Sequence, residues 1–195
     1  PVPDLAESYE AISDTEWEFK LRQDVKFHDG TSMKAEDVKA SLEWAKGFAE
    51  VSLYNDNIQS VEVVDDYTVR ITTPTPSPVL LFNLTQHGNA IVPKKLIDEG
   101  HDFNTQPIGT GPYKFVSWTR GDQVEFEAFE DYYLGEPSIK HVIWKIIPEG
   151  SSRTIALEAG EVDLVIEVEA MDVERIQEND KLSTIQYMPT SVTWV

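Results

Sequence analysis

The segment Trp17-Glu18-Phe19-Lys20-Leu21 alternates apolar and charged side chains, and it restricts the fold more tightly than any other stretch of the chain. A period of two puts Trp17, Phe19 and Leu21 on one face of a strand and Glu18, Lys20 and Arg22 on the other. After a Gln23-Asp24 break, Val25 and Phe27 alternate again, and the turn dipeptide Asp29-Gly30 closes the run. Thr31-Ser32 is placed to cap a helix from Met33 to Ala49, with Val38, Leu42, Ala45 and Phe48 at helical spacing. Glu36 and Asp37 fall in its first turn, where they complement the helix dipole.

Further along, Ser52–Asn57 reads as a polar loop. Val61–Val63 and Tyr67–Ile71 alternate around Asp65-Asp66, which predicts a hairpin. Thr73-Pro74-Thr75-Pro76-Ser77-Pro78 cannot donate a regular ladder and is an extended connection or turn. The longest apolar run, Pro78–Phe82, has the length of a strand. Ile91-Val92-Pro93-Lys94 opens a short helix that ends at Gly100. Strands are predicted at Tyr113–Trp118, Gln123–Phe129 and His141–Ile147, the first two joined by Arg120-Gly121-Asp122. Ser151-Ser152 caps a helix over Arg153–Ala159 that Gly160 stops. A buried strand at Val162–Ile166, a helix at Met171–Asn179 and strands at Thr184–Tyr187 and Val192–Val195 complete the reading.

Composition narrows the function. The 195 residues suit one large or two small domains, and 41% hydrophobic with 10% aromatic content indicates a folded globule. Thirty-five acidic against 16 basic residues give a net charge of -19, which repels nucleic acid and anionic membranes. There is no cysteine, so no disulfide is required. No run reaches the roughly 20 apolar residues of a membrane span. The chain starts at Pro1 without a Met or signal peptide, which reads as a processed or shortened N-terminus.

Several motifs occur in a fixed order: Trp17-x-Phe19-x-Leu21-Arg22-x-x-Val25-x-Phe27-His28-Asp29-Gly30-Thr31, then Lys34-Ala35-Glu36-Asp37-Val38-Lys39-Ala40-Ser41, then Ile91-Val92-Pro93-Lys94. Pro107-x-Gly109-Thr110-Gly111-Pro112-Tyr113, Tyr132-Tyr133-x-Gly135-x-Pro137 and Ala159-Gly160-Glu161-Val162-Asp163 follow. Together they resemble the bacterial extracellular solute-binding proteins of family 5, which feed peptide-importing ABC transporters. Lys34 stands where that family usually has Thr. The resemblance implies an α+β fold of the type II periplasmic-binding-protein class. It implies a small inserted domain over 1–92 and part of lobe I over 93–195, with the second lobe absent.

It also implies a periplasmic or lipid-anchored surface protein that captures di- or oligopeptides without cofactor, metal or chemistry and delivers them to permease subunits. Nickel chelates and oligosaccharides are the alternative cargoes. Ligand contacts implied by the resemblance are Tyr54, Gln86, His87, Glu167, Thr193 and Trp194, with Glu167 meeting a ligand amine and Trp194 forming an aromatic wall. Without its second lobe the chain is expected to bind ligand feebly, and to dimerise through apolar surface and strand edges near Val192–Val195.

Other constellations have simpler readings. Pro107–Pro112 lacks the Gly-Lys-Ser/Thr ending of a phosphate loop and reads as a tight crossover. His28, Asp29 and Ser32 surround a turn without the Gly-x-Ser-x-Gly elbow of a hydrolase. The four histidines share no zinc spacing. A glycosidase would need a facing pair such as Glu158/Glu161 or Glu167/Glu169. Trp17, Trp44, Trp118 and Trp144 fit strand or helix faces and are expected in the core.

Overall fold

The structure is a computed structural model that describes residues 2–185. Thr193 and Trp194, with the predicted strand at Val192–Val195, lie outside the described residues. The chain divides into two compact units: Pro1–Trp118 with Val124–Ile143, and Thr119–Gln123 with Trp144–Val195.

The first unit is built on a four-stranded antiparallel sheet in the order β1-β2-β4-β3, from β1 (Ala6–Ser13), β2 (Glu16–Leu21), β3 (Ser60–Asp65) and β4 (Thr68–Thr72). Trp17 pairs with Ile71 and Phe19 with Val69, while Val61 and Val63 meet the same two β4 residues from the other side. The expected alternation therefore sets the register. The apolar face packs on helix α1 (Ala35–Ala45) through Val38 and Leu42, and Leu21, Val25, Phe27, Met33, Val61, Val69 and Ile71 are all buried there. The opposite face is charged. Arg70 lies 2.9 Å from Glu18, 3.5 Å from Glu16 and 3.8 Å from Glu62, and Lys20 lies 2.8 Å from Glu18.

β1 was not legible as a strand because it lacks alternation. It is an edge strand, mostly exposed, with register breaks at Ala6/Ser8 and Ala11/Ser13. The long helix expected from Met33 to Ala49 is two helices. α1 begins later because Asp37 reaches back to accept the Lys34 N–H at 2.8 Å. Thr31 instead serves the turn, donating to Asp29 Oδ1 from both N and Oγ1, and Ser32 pairs with Lys26. Gly47 and the extended Phe48 break the helix, which resumes as α2 (Ala49–Asn55).

α2 overturns the polar loop expected at Ser52–Asn57. Its loop-forming residues are occupied: Ser52 Oγ donates to Ala49 O at 3.1 Å, and the Asn55 amide is buried against Asn89. Pro78–Phe82 does not become a strand either. Leu80–Leu84 is a helical turn, α3, with Leu80 fully buried and Phe82 facing outward. α4 (Lys94–Asp98) follows as predicted, and Gly100 beyond it has φ +69°.

β5 (Tyr113–Thr119), β6 (Gln123–Ala128) and β7 (His141–Lys145) form a second sheet in that order. Trp17 packs against the core as expected, but Trp44, Trp118 and Trp144 are exposed. Trp44 shares its surface with rings rather than with the sheet: Phe48 at 4.8 Å and Phe103 at 5.4 Å.

In the second unit, α5 (Gly150–Glu158) starts three residues before the expected Arg153, with Glu149 at its N-cap. Gly160, at φ +72°, ends it. The buried strand expected at Val162–Ile166 is irregular chain with Leu164 and Ile166 exposed, because no strand among the described residues pairs with it. The second helix is shorter than Met171–Asn179: α6 (Val173–Gln177) follows a 3-10 turn at Ala170–Asp172. Thr184 and Ile185 have no strand conformation.

Candidate functional site

The quoted motifs are contacts between distant segments. Asp37 and Ser41 stand one turn apart on α1 and together seat the chain leading into α4. Asp37 Oδ1 accepts the Lys94 N–H at 2.8 Å; Ser41 Oγ accepts the Val92 N–H at 3.0 Å and donates to Val92 O at 3.1 Å. His28 does the same for the crossover loop. Its backbone N–H donates to Gly109 O at 2.9 Å, Nδ1 accepts the Gly109 N–H at 3.2 Å, and Nε2 lies 2.9 Å from Gly111 O. With Nδ1 an acceptor, the proton of the neutral ring sits on Nε2. Burial, reinforced by the Lys114 charge, holds the His28 pKa below its usual value, against the opposing pull of Gly111 O and Asp29. His28 is therefore structural, as the sequence indicated.

A third lock carries three of the expected ligand residues. Asn55 and Asn89 are buried and exchange amides: Asn55 Nδ2 donates to Asn89 Oδ1 at 2.6 Å, and Asn89 Nδ2 donates to Asn55 Oδ1 at 3.1 Å. Asn89 Nδ2 also reaches Asn83 O at 2.9 Å, and Asn83 Nδ2 donates to Tyr54 O at 3.1 Å. Tyr54 on α2 is half-buried; Gln86 precedes the 3-10 turn His87–Asn89, and His87 is exposed. The lock thus brings the segment bearing Tyr54 together with the segment bearing the adjacent pair Gln86 and His87, although the two segments are far apart in sequence. Asn55→Leu strands Asn89 Oδ1 in the interior and should cost about 1–3 kcal/mol in urea unfolding. Asn55→Leu/Asn89→Leu should cost less than the sum of the single changes.

Glu167 belongs to the second unit. It is exposed, and it is the one non-glycine with positive φ, at +60°, among the described residues. An L-residue held there costs on the order of 1–3 kcal/mol unless its surroundings impose it. Arg153 on α5 supplies that restraint by donating Nη2 to Glu167 O at 3.2 Å. Arg153 was legible only as a helix residue, because its carbonyl partners leave no mark in sequence. Of the carboxylates considered for hydrolysis, Glu158 lies 3.3 Å from Arg175, and Glu169 lies against Gly150 at the start of α5.

The chain as a whole is similar to known proteins. The sequence profile of the bacterial extracellular solute-binding proteins, family 5 Middle, matches residues 1–195. The glutathione-binding protein GsiB of Pectobacterium atrosepticum is 33% identical over 187 residues, covering 93% of this chain and 36% of that protein. The agropinic acid complex of AgaA from A. tumefaciens R10 superposes with a TM-score of 0.83 at 37% identity, over 91% of this chain and 37% of AgaA. NikZ of Campylobacter jejuni in complex with Ni(L-His) gives 0.82 at 33%, over 91% and 37%. The chain thus spans little more than a third of the length of the relatives it matches.

The mixed helix-and-sheet architecture is that of the type II periplasmic binding proteins. No helix among the described residues is long and apolar enough to cross a membrane. The chain belongs to the bacterial extracellular solute-binding proteins, family 5.

Proposed function

We propose that the protein carrying this chain captures peptides and hands them to an ABC permease without altering them. The observation that supports this most is the likeness, over nearly the whole chain, to a protein that binds glutathione, itself a tripeptide. In this reading residues 1–92 are the small inserted domain and 93–195 a share of lobe I. Glu167 accepts the ligand's ammonium group, while Tyr54, Gln86, His87, Thr193 and Trp194 supply further contacts. A main-chain-directed grip with hydrated side-chain pockets tolerates varied peptides. The ligand is closed in by lobe movement, so the isolated 195-residue chain binds it weakly.

The likeness to NikZ in its Ni(L-His) complex favours a second reading, a metal chelate as cargo. Calorimetry of the full-length protein distinguishes the two. Trialanine and glutathione should bind with micromolar or tighter affinity, and N-acetyl-trialanine at least tenfold more weakly than trialanine. Binding of nickel with L-histidine, and of neither peptide, would establish the second reading and discard the first.

A further inference from the structure

Arg153, the fourth residue of α5, directs its guanidinium at main-chain carbonyls. Nη1 donates to Ile147 O at 3.0 Å and to Pro148 O at 2.8 Å, and Nη2 donates to Glu167 O at 3.2 Å. The planar fork thereby joins the chain entering α5 to the chain that follows it. Two residues beyond Glu167, the Glu169 side chain occupies the space beside Gly150, where a Cβ would come within 2.3 Å of Oε1. The stretch 167–169 thus lies along the first turn of α5, bonded to it at Glu167 O and packed beside it at Glu169. At the bonded end Glu167 adopts its left-handed backbone with an exposed side chain. Asparagine or glycine meets that backbone with less strain, so a glutamate here keeps a carboxylate at the expense of local stability.

We propose that Arg153 is a positioning residue. By bonding the carbonyls of Ile147, Pro148 and Glu167 together, it holds Glu167 left-handed and presents its carboxylate to the ammonium group of a ligand. The ligand half rests on the function proposed above; the conformational half rests on the Arg153 geometry alone.

The test is a pair of mutant cycles on the full-length protein. In the stability cycle, Glu167→Asn relieves the strained backbone and should raise the melting temperature by about 2 °C. In the Arg153→Lys background, where one ammonium cannot span three carbonyls, Glu167 relaxes and the same change should give no rise. An equal rise in both backgrounds, or no rise in the wild type, overturns the clamp. In the binding cycle, read by calorimetry with trialanine, Glu167→Gln should weaken affinity about tenfold, and Arg153→Lys by a comparable factor. Arg153→Lys should add nothing once Glu167 is already Gln. An additive loss shows that Arg153 acts by another route and overturns the positioning role. A positive stability cycle with unchanged trialanine affinity in Glu167→Gln overturns the ligand assignment while upholding the clamp. Arg153→Gln provides a neutral second variant should Arg153→Lys fold poorly.

Discussion

Phe27→Ala should lower the unfolding free energy by about 3–5 kcal/mol, the largest single-residue effect expected in this chain. Phe27 is 1% exposed and lies within the cluster that joins the four-stranded sheet to α1, beside Val25, Met33 and Leu80. Its backbone is also fixed by the turn it enters, since its N–H donates to Thr31 O at 2.8 Å and its carbonyl accepts the Gly30 N–H at 2.9 Å. The site cannot collapse around a missing ring without breaking that turn, so most of the cavity persists. Domains of this kind hold roughly 5–15 kcal/mol in total, so one truncation removes a large share. Urea unfolding would show a lowered midpoint with unchanged slope. Phe27→Leu, which keeps most of the volume, should cost well under half as much. Equal losses for the two variants would mean that the ring's fit, not burial, dominates.

His28→Ala should follow, at about 1–3 kcal/mol, because it leaves the Gly109 N–H without its acceptor and Gly111 O without its donor. The edge contact between the His28 and Phe129 rings, 5.2 Å apart, is lost as well. The wild-type residue also carries a pH signature. Its folded pKa lies below the value near 6.5 that it has when unfolded. Above that unfolded value both states are neutral and the contribution is complete. As pH falls through 6.5 the unfolded chain takes up a proton that the folded ring resists, so stability declines until the folded pKa is passed. Protonation of Nδ1 then abolishes the bond from Gly109. Stability measured between pH 8 and pH 5 should therefore fall more steeply for the wild type than for His28→Gln. Parallel curves would show that the imidazole does not titrate differently on folding.

What was legible follows from where each residue's partner lies. The β2 alternation and the Asp65-Asp66 turn report local geometry, and the fold contains both the strand and the hairpin. The long-range bonds of Asp37, Ser41 and His28 were not legible, since their partners at Val92, Lys94, Gly109 and Gly111 lie more than 50 residues away. Asn55 misled for a related reason: asparagine near a helix end suggests a loop, and only the buried Asn89 amide reverses that preference. Val162–Ile166 misled in the opposite sense, because an apolar run becomes a strand only where another strand lies beside it. In the candidate site, Glu167 could be proposed but its left-handed backbone could not, since the restraint comes from an arginine 14 residues earlier.

One of the two outermost strands of the large sheet has a bearing on crowding. β1 carries Glu7 and Glu10 along a rim interrupted by two register breaks. Two molecules meeting rim to rim would bring carboxylates face to face across a ladder that cannot run straight. At this border, therefore, charge and irregular register both oppose the growth of one continuous ribbon.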